Sequence, residues 1–187
     1  MSFIKRISKQ LKLDTQVISS LKTVMGDKRL STHYQVECIR HGKVLWVEKF
    51  DNLVVDEGLN DSLDKHLKGS TYTAAWYVGV TTTSNTFAAG DTMASHAGWT
   101  ESSTYDEATR PALTLGTVAS KSVDNSASKA VFTISGTVTL QGAFVTSNNT
   151  KGGSTGILYG GGAFSQARSL VDNDVLNVTI TCTAAAS

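Results

Sequence analysis

A single proline, two cysteines and no apolar run near the roughly 18 residues that a membrane helix needs set the first limits on this 187-residue chain. The short apolar runs argue against a spanning protein. Cys38 and Cys182 cannot build a disulfide framework, and a chain of this length needs none to bury a core. No continuous apolar stretch stands near the N-terminus, so the expectation is a chain without a secretory signal, in a reducing cytoplasm or something assembled there. Charged residues make up only 18%, too few for a charge-rich disordered chain. What is abundant is Ser and Thr, 45 together, with 16 Gly. That composition suits many short strands and turns better than a helical bundle. The length points to one domain, or one domain plus an appendage.

The net charge of +1 conceals an asymmetry. Lys5, Arg6, Lys9, Lys12, Lys22, Lys28 and Arg29 against Asp14 and Asp27 give +5 for residues 1–30 and leave −4 for the rest. A basic arm on a mildly acidic body can be steered to an anionic surface. A lysine-coated helix that merely faces water is the competing explanation.

Phe3, Ile4, Ile7 and Leu11 fall on one helical face, with Lys5, Lys9 and Lys12 elsewhere on the same short segment. After Asp14, a good N-cap, Val17, Ile18, Leu21, Val24 and Met25 repeat at helical spacing until Gly26. Neither segment is long enough to hold a helix alone in water, so each must lay its stripe on this protein's body or on a neighbour. Domain boundaries follow: a basic helical N-terminal arm over 1–31 and a strand-built domain over 32–187.

From Thr32 the period becomes two. Tyr34, Val36 and Cys38 alternate with polar residues, His41-Gly42 predicts a turn, and residues 44–50 a return strand. Leu59, Leu63 and Leu67 predict a short helix over 57–67, closed by Gly69. Residues 74–80 look buried on both faces. Residues 81–104 keep no period, and a loop that long is usually functional or ordered by a partner. Further strands are expected at 112–118, 130–140, 142–147 and 157–164, and the clearest at 175–182, where Leu176, Val178, Ile180 and Cys182 share one side. The expected class is mainly β, a β-sandwich or jelly-roll-like body with one short internal helix and the helical arm.

No catalytic constellation emerges. Metal binding would need ligand spacing that Cys38, Cys182 and the four histidines do not supply. Asp91, His96, Glu101, Asp106 and Glu107 gather donor groups without the tight alternation of a calcium loop. Lys151 precedes its glycines, the wrong order for a phosphate loop, and no Gly-x-Ser-x-Gly is present. The charge of the body argues against nucleic acid as a specific partner. The expectation is a protein without cofactor, metal or enzymatic activity.

The runs KVLWVEKF (43–50), NLVVDEGLN (52–60), AWYVG (75–79), AGDTMASHAGWTE (89–101), YDEATRP (105–111) and KGG (151–153) together resemble a protein family common in genomes of tailed bacteriophages, whose members sit among virion structural genes. The resemblance spans residues 43–183 and leaves the basic segment outside it. It implies a structural role in the virion, assembled in the host cytoplasm, with no catalytic residues. A small β-sandwich with a docking arm is similar to capsid decoration, or cement, proteins, so the implied partners are the major capsid protein and further copies of this chain. Portal or tail proteins are the alternative, with the chain as a collar or tail-fibre adaptor. A glycan-binding module stacking sugars on Trp76, Tyr77 or Trp99 is a third possibility. The partner-binding residues expected on the first view are Phe3, Ile4, Lys5, Arg6, Ile7, Lys9, Leu11, Lys12, Val17, Ile18 and Leu21 of the arm, and Met93, His96 and Trp99 of the long loop.

Overall fold

Two antiparallel sheets and one short helix organise the computed structural model, which describes residues 29–71, 75–83 and 86–185. The expected helices of the arm lie outside these residues, and strand pairing begins at Arg29.

The first hairpin pairs β1 (Arg29–Arg40) with β2 (Lys43–Asp51). His41 and Gly42 both take positive φ, 49° and 74°, as a tight two-residue turn between twisted strands requires. The chain then leaves this sheet at Asn52 and enters the other as β3 (Leu53–Val54). Helix α1 (Asp56–Leu63) follows and runs into a π-helical turn, Asp64–Lys68, that Gly69 ends at φ 76°. The remaining strands are β4 (Tyr77–Thr81), β5 (Ser122–Asp124), β6 (Ala130–Thr133), β7 (Val138–Thr146), β8 (Leu158–Leu170) and β9 (Val175–Ala185). One sheet has the order β2-β1-β9-β5, with β6 also on β9; the other is β3-β8-β7-β4.

Alternation decides which side chains meet. Tyr34, Val36 and Cys38 on β1 and Leu176, Val178 and Ile180 on β9 face inward from the first sheet. Val78 and Val80 on β4, Leu140 and Val145 on β7, and Phe164 on β8 join them from the second, in one buried cluster. Each such side chain contributes roughly 1.5–3 kcal/mol by leaving water. Glu48 on β2 ties the sheets at their margin, accepting from Arg168 Nε at 2.8 Å and Ser165 Oγ at 3.1 Å, both on β8.

Two strand expectations need correction: residues 130–140 are not one strand, because β6 ends at Thr133 on the first sheet and β7 begins at Val138 on the second and runs on through most of the expected strand 142–147. Residues 112–118 form no strand: they cross between sheet edges, with Leu113 N–H donating to Trp76 and Gly116 N–H to Asp124. A segment that serves two edges in turn has no length for a ladder. Leu59 and Leu63 of α1 and Leu67 of the π-helical turn, the stripe that predicts the helix, are exposed to solvent, Leu67 at 81%. The helix buries Gly58 instead, where a Cβ would sit 2.4 Å from the Tyr159 carbonyl oxygen. Spacing identifies a stripe; the glycine decides which side approaches the sheet.

Candidate functional site

The second sheet is covered on its far face as well, and that cover brings the most distinctive sequence runs together. A second buried cluster joins Val55, Met93, Trp99, Phe144 and Leu158, with Phe87 packed against it. Glycines in the strands make the space: a Cβ on Gly79 would meet the Phe144 ring at 2.1 Å, and one on Gly161 the Phe87 ring at 2.1 Å. The aperiodic loop is therefore a third layer. Its centre is Trp99, stacked with His96 at 3.8 Å and with Phe87 at 5.0 Å between centroids, and tilted on Phe144. Trp99 Nε1 donates to Asp91 Oδ2 at 3.1 Å, and the Ala88 N–H donates to the same oxygen at 3.0 Å.

Beside this layer lies a buried ion pair. Arg110, 1% exposed, donates from Nε and Nη2 to the two oxygens of Glu101, at 2.8 and 2.7 Å. Nη1 donates to the Asn148 carbonyl at 2.8 Å, and Nη2 also to the Gly153 carbonyl at 2.7 Å. Glu101 also accepts from the Gly152 N–H at 2.9 Å. Lys151 donates to the Tyr105 carbonyl at 2.7 Å and lies 3.9 Å above that residue's ring. Burial, then the nearby Glu101 charge, raises the Tyr105 phenol above its ordinary range, so it stays protonated. Glu107 accepts twice from the Thr133 N–H.

Asp91, Trp99, Glu101, Tyr105, Arg110 and Lys151–Gly153 all come from the runs that carry the resemblance. Here they bind one another. The acids are occupied by donors, and no nucleophile is set against a base within the network. Among the described residues, no group of three or more His, Cys, Asp or Glu side chains could hold a metal ion. No helix among them is long and apolar enough to cross a membrane. Burial pushes the Cys38 thiol up to about 11 and raises Cys182 too, away from the thiolate that reaction would need.

The long-loop partner residues are thus placed as follows. Met93 and Trp99 are buried in this protein's own second cluster, and the loop packs on the sheet beneath it. His96 is half-buried on Trp99. Of the aromatics considered for sugar stacking, Trp99 is buried, and Trp76 turns edge-on to Tyr159 at 5.5 Å. The arm residues Phe3, Ile4, Lys5, Arg6, Ile7, Lys9, Leu11, Lys12, Val17, Ile18 and Leu21 lie outside the described residues.

Two concavities had no signal in the linear sequence. One is a polar trough of about 570 Å³ on the first sheet, bordered by the His33–Asp51 pair, Lys49, Lys129 and Thr181. The other is an apolar cleft of about 240 Å³ between the sheet margins and α1. Both are assembled from residues far apart along the chain.

No protein-family model, no curated protein and no solved structure matches this chain.

Proposed function

We propose that this chain is a non-enzymatic structural protein of a tailed-bacteriophage virion, and specifically a capsid decoration protein that stabilises the head lattice. The observation that supports it most is the use to which the resembling runs are put. Glu101, Arg110 and Lys151–Gly153, the residues with the most chemical potential, are consumed in holding the loop layer to the body. A body organised this way is a rigid module for display. The body is read as a β-sandwich because both sheets contribute to one core; the passage of the chain between sheets at Asn52 favours the jelly-roll-like form of that reading.

The mechanism is linkage. A protein that binds only the assembled, expanded shell stabilises it by mass action, and many weak contacts add across a lattice. The arm supplies what the body lacks: a charge of +5 within residues 1–30 to meet an acidic face, and apolar side chains to anchor there. Copies of this chain on adjoining capsomers would be neighbours.

Purified chain added to expanded shells that lack it tests this. Saturable binding and a higher melting temperature of the shell are expected, with much weaker binding to unexpanded shells. Failure to bind any shell overturns the proposal.

A further inference from the structure

The polar trough lies on the outer face of the first sheet, and strand register builds its floor. His33 on β1 stands between Asp51 of β2 and Thr181 of β9, and Gln35 stands between Lys49 and Thr179. Two rows of three polar side chains thus lie side by side across three strands. Alternation turns them away from the core that Tyr34, Val178 and Ile180 enter. The segment between β5 and β6 makes one wall and brings Ser126 and Lys129 to the trough. That wall is pinned by Asn125, 1% exposed, whose side chain accepts from the Ile180 N–H at 2.7 Å and donates to the Val178 carbonyl at 3.1 Å. The Ser126 N–H donates to Asp124 Oδ1 at 2.8 Å. A buried amide that holds both backbone groups of β9 fixes the segment beside the sheet, so the trough is preformed. Its volume, about 570 Å³, falls within the roughly 300–1,000 Å³ of ligand pockets.

The charges around it are almost all matched. His33 pairs with Asp51. Lys129 Nζ donates to Glu37 Oε2 at 2.8 Å, and Gln35 Nε2 donates to Glu37 Oε1 at 2.9 Å. Lys49 is the exception: it is exposed, and among the described residues no carboxylate lies within ion-pair distance of it.

We propose that this trough binds an acidic saccharide, with a ring carboxylate on Lys49 and ring hydroxyls on Gln35, Thr179, Thr181 and Ser126. Hydroxyl and amide side chains both donate and accept, as sugar hydroxyls do. A single ammonium without a counter-charge, set among neutral polar groups and closed pairs, suits an isolated negative charge. A polyanion such as a nucleic acid would meet the carboxylates of Asp51 and Glu37 as well. An apolar ligand would strip water from the polar floor and return no hydrogen bonds. The site is independent of the proposed place in the virion, because it needs only the trough to face solvent.

Calorimetric titration of the full-length chain tests this, with sialyllactose, oligogalacturonate and a hyaluronan tetrasaccharide as probes and with maltotetraose and oligo(dT) as neutral and polyanionic controls. At least one acidic saccharide is expected to bind more tightly than both controls. Lys49→Gln should weaken that binding about tenfold, the loss of one charge-assisted contact, and Thr181→Val should weaken it too. Lys49 is exposed, so its variant is expected to keep the parent's melting temperature. Lys43→Gln, on the same strand outside the trough, should change nothing. Failure of all three acidic saccharides to bind overturns the proposal. So does binding that Lys49→Gln and Thr181→Val leave unchanged, which would place the saccharide elsewhere on the chain. Equal weakening by Lys43→Gln would show general charge attraction, and tighter binding of oligo(dT) would assign the trough to nucleic acid; either result also overturns it.

Discussion

Arg110 and Glu101, nine positions apart on a stretch without regular structure, form a two-pronged ion pair sealed from solvent. Breaking such a pair costs more than the pair contributes, because the surviving charge is buried without its counterpart. Glu101→Gln is expected to lower stability by about 3–5 kcal/mol, read as a lower urea midpoint. A Glu101→Leu/Arg110→Met double variant should recover only part of this, since the carbonyls of Asn148 and Gly153 and the Gly152 N–H lose partners too. Full recovery would show that those carbonyl contacts contribute nothing.

Gly79 and Gly161 both make room for a ring, but the rings differ in freedom. Phe144 beneath Gly79 is fully buried, whereas Phe87 over Gly161 belongs to the half-buried rim of the loop layer. Gly79→Ala should therefore cost more than Gly161→Ala, each about 1–3 kcal/mol by overpacking. Thermal melts of the two variants give the ranking, and the reverse order would place the rigid ring on the wrong side.

Trp99→Phe keeps a ring in the stack and removes the donor to Asp91. A loss of about 1–3 kcal/mol is expected from the buried carboxylate left short of a partner. Binding to particles, measured below the melting range, should be unchanged. A selective loss of binding with stability intact would return Trp99 to the partner surface.

Asp174 accepts from Arg40 Nε and Nη2, both at 2.6 Å, and from the Val171 N–H at 2.9 Å. The Arg40 guanidinium, and to a lesser degree the Val171 N–H, hold its carboxyl below the usual carboxylate range. A folded-state value below the unfolded one means that the stabilisation is full above about pH 4 and disappears as pH falls through the folded value. Acid titration of the fold should thus be shallower below about pH 4 in Asp174→Asn, which is also less stable at neutral pH. Parallel curves would show that another carboxylate governs the acid limb.

Local features were legible where local chemistry decides them. The His41-Gly42 turn, the stop at Gly69 and the alternation of β9 each depend on residues a few positions apart. Within the run 74–80, the burial of residues 78–80 was also readable, since unbroken apolar runs have no face to give to water, while Trp76 and Tyr77 are half-buried. Met93 and Trp99 were not legible as core. Their cover depends on Phe144 and on glycines at 79 and 161, on strands that the linear sequence does not place together. A long aperiodic loop carrying Phe87, Met93 and Trp99, beside strands that contain glycines, was the available signal. The Glu101–Arg110–Gly153 node spans 52 positions, and no period reaches that far. The stripe of Leu59, Leu63 and Leu67 marks the helix but not its orientation, which Gly58 sets by approaching the sheet.

The most direct measurement of the proposed role is the number and position of copies in purified virions, from quantitative mass spectrometry together with particle density. A decoration protein should be present on the order of hundreds per particle, at capsomer junctions, as lattice symmetry demands. About a dozen copies at the neck or tail would contradict the head assignment in favour of an adaptor. Absence from the particle would contradict the structural role altogether.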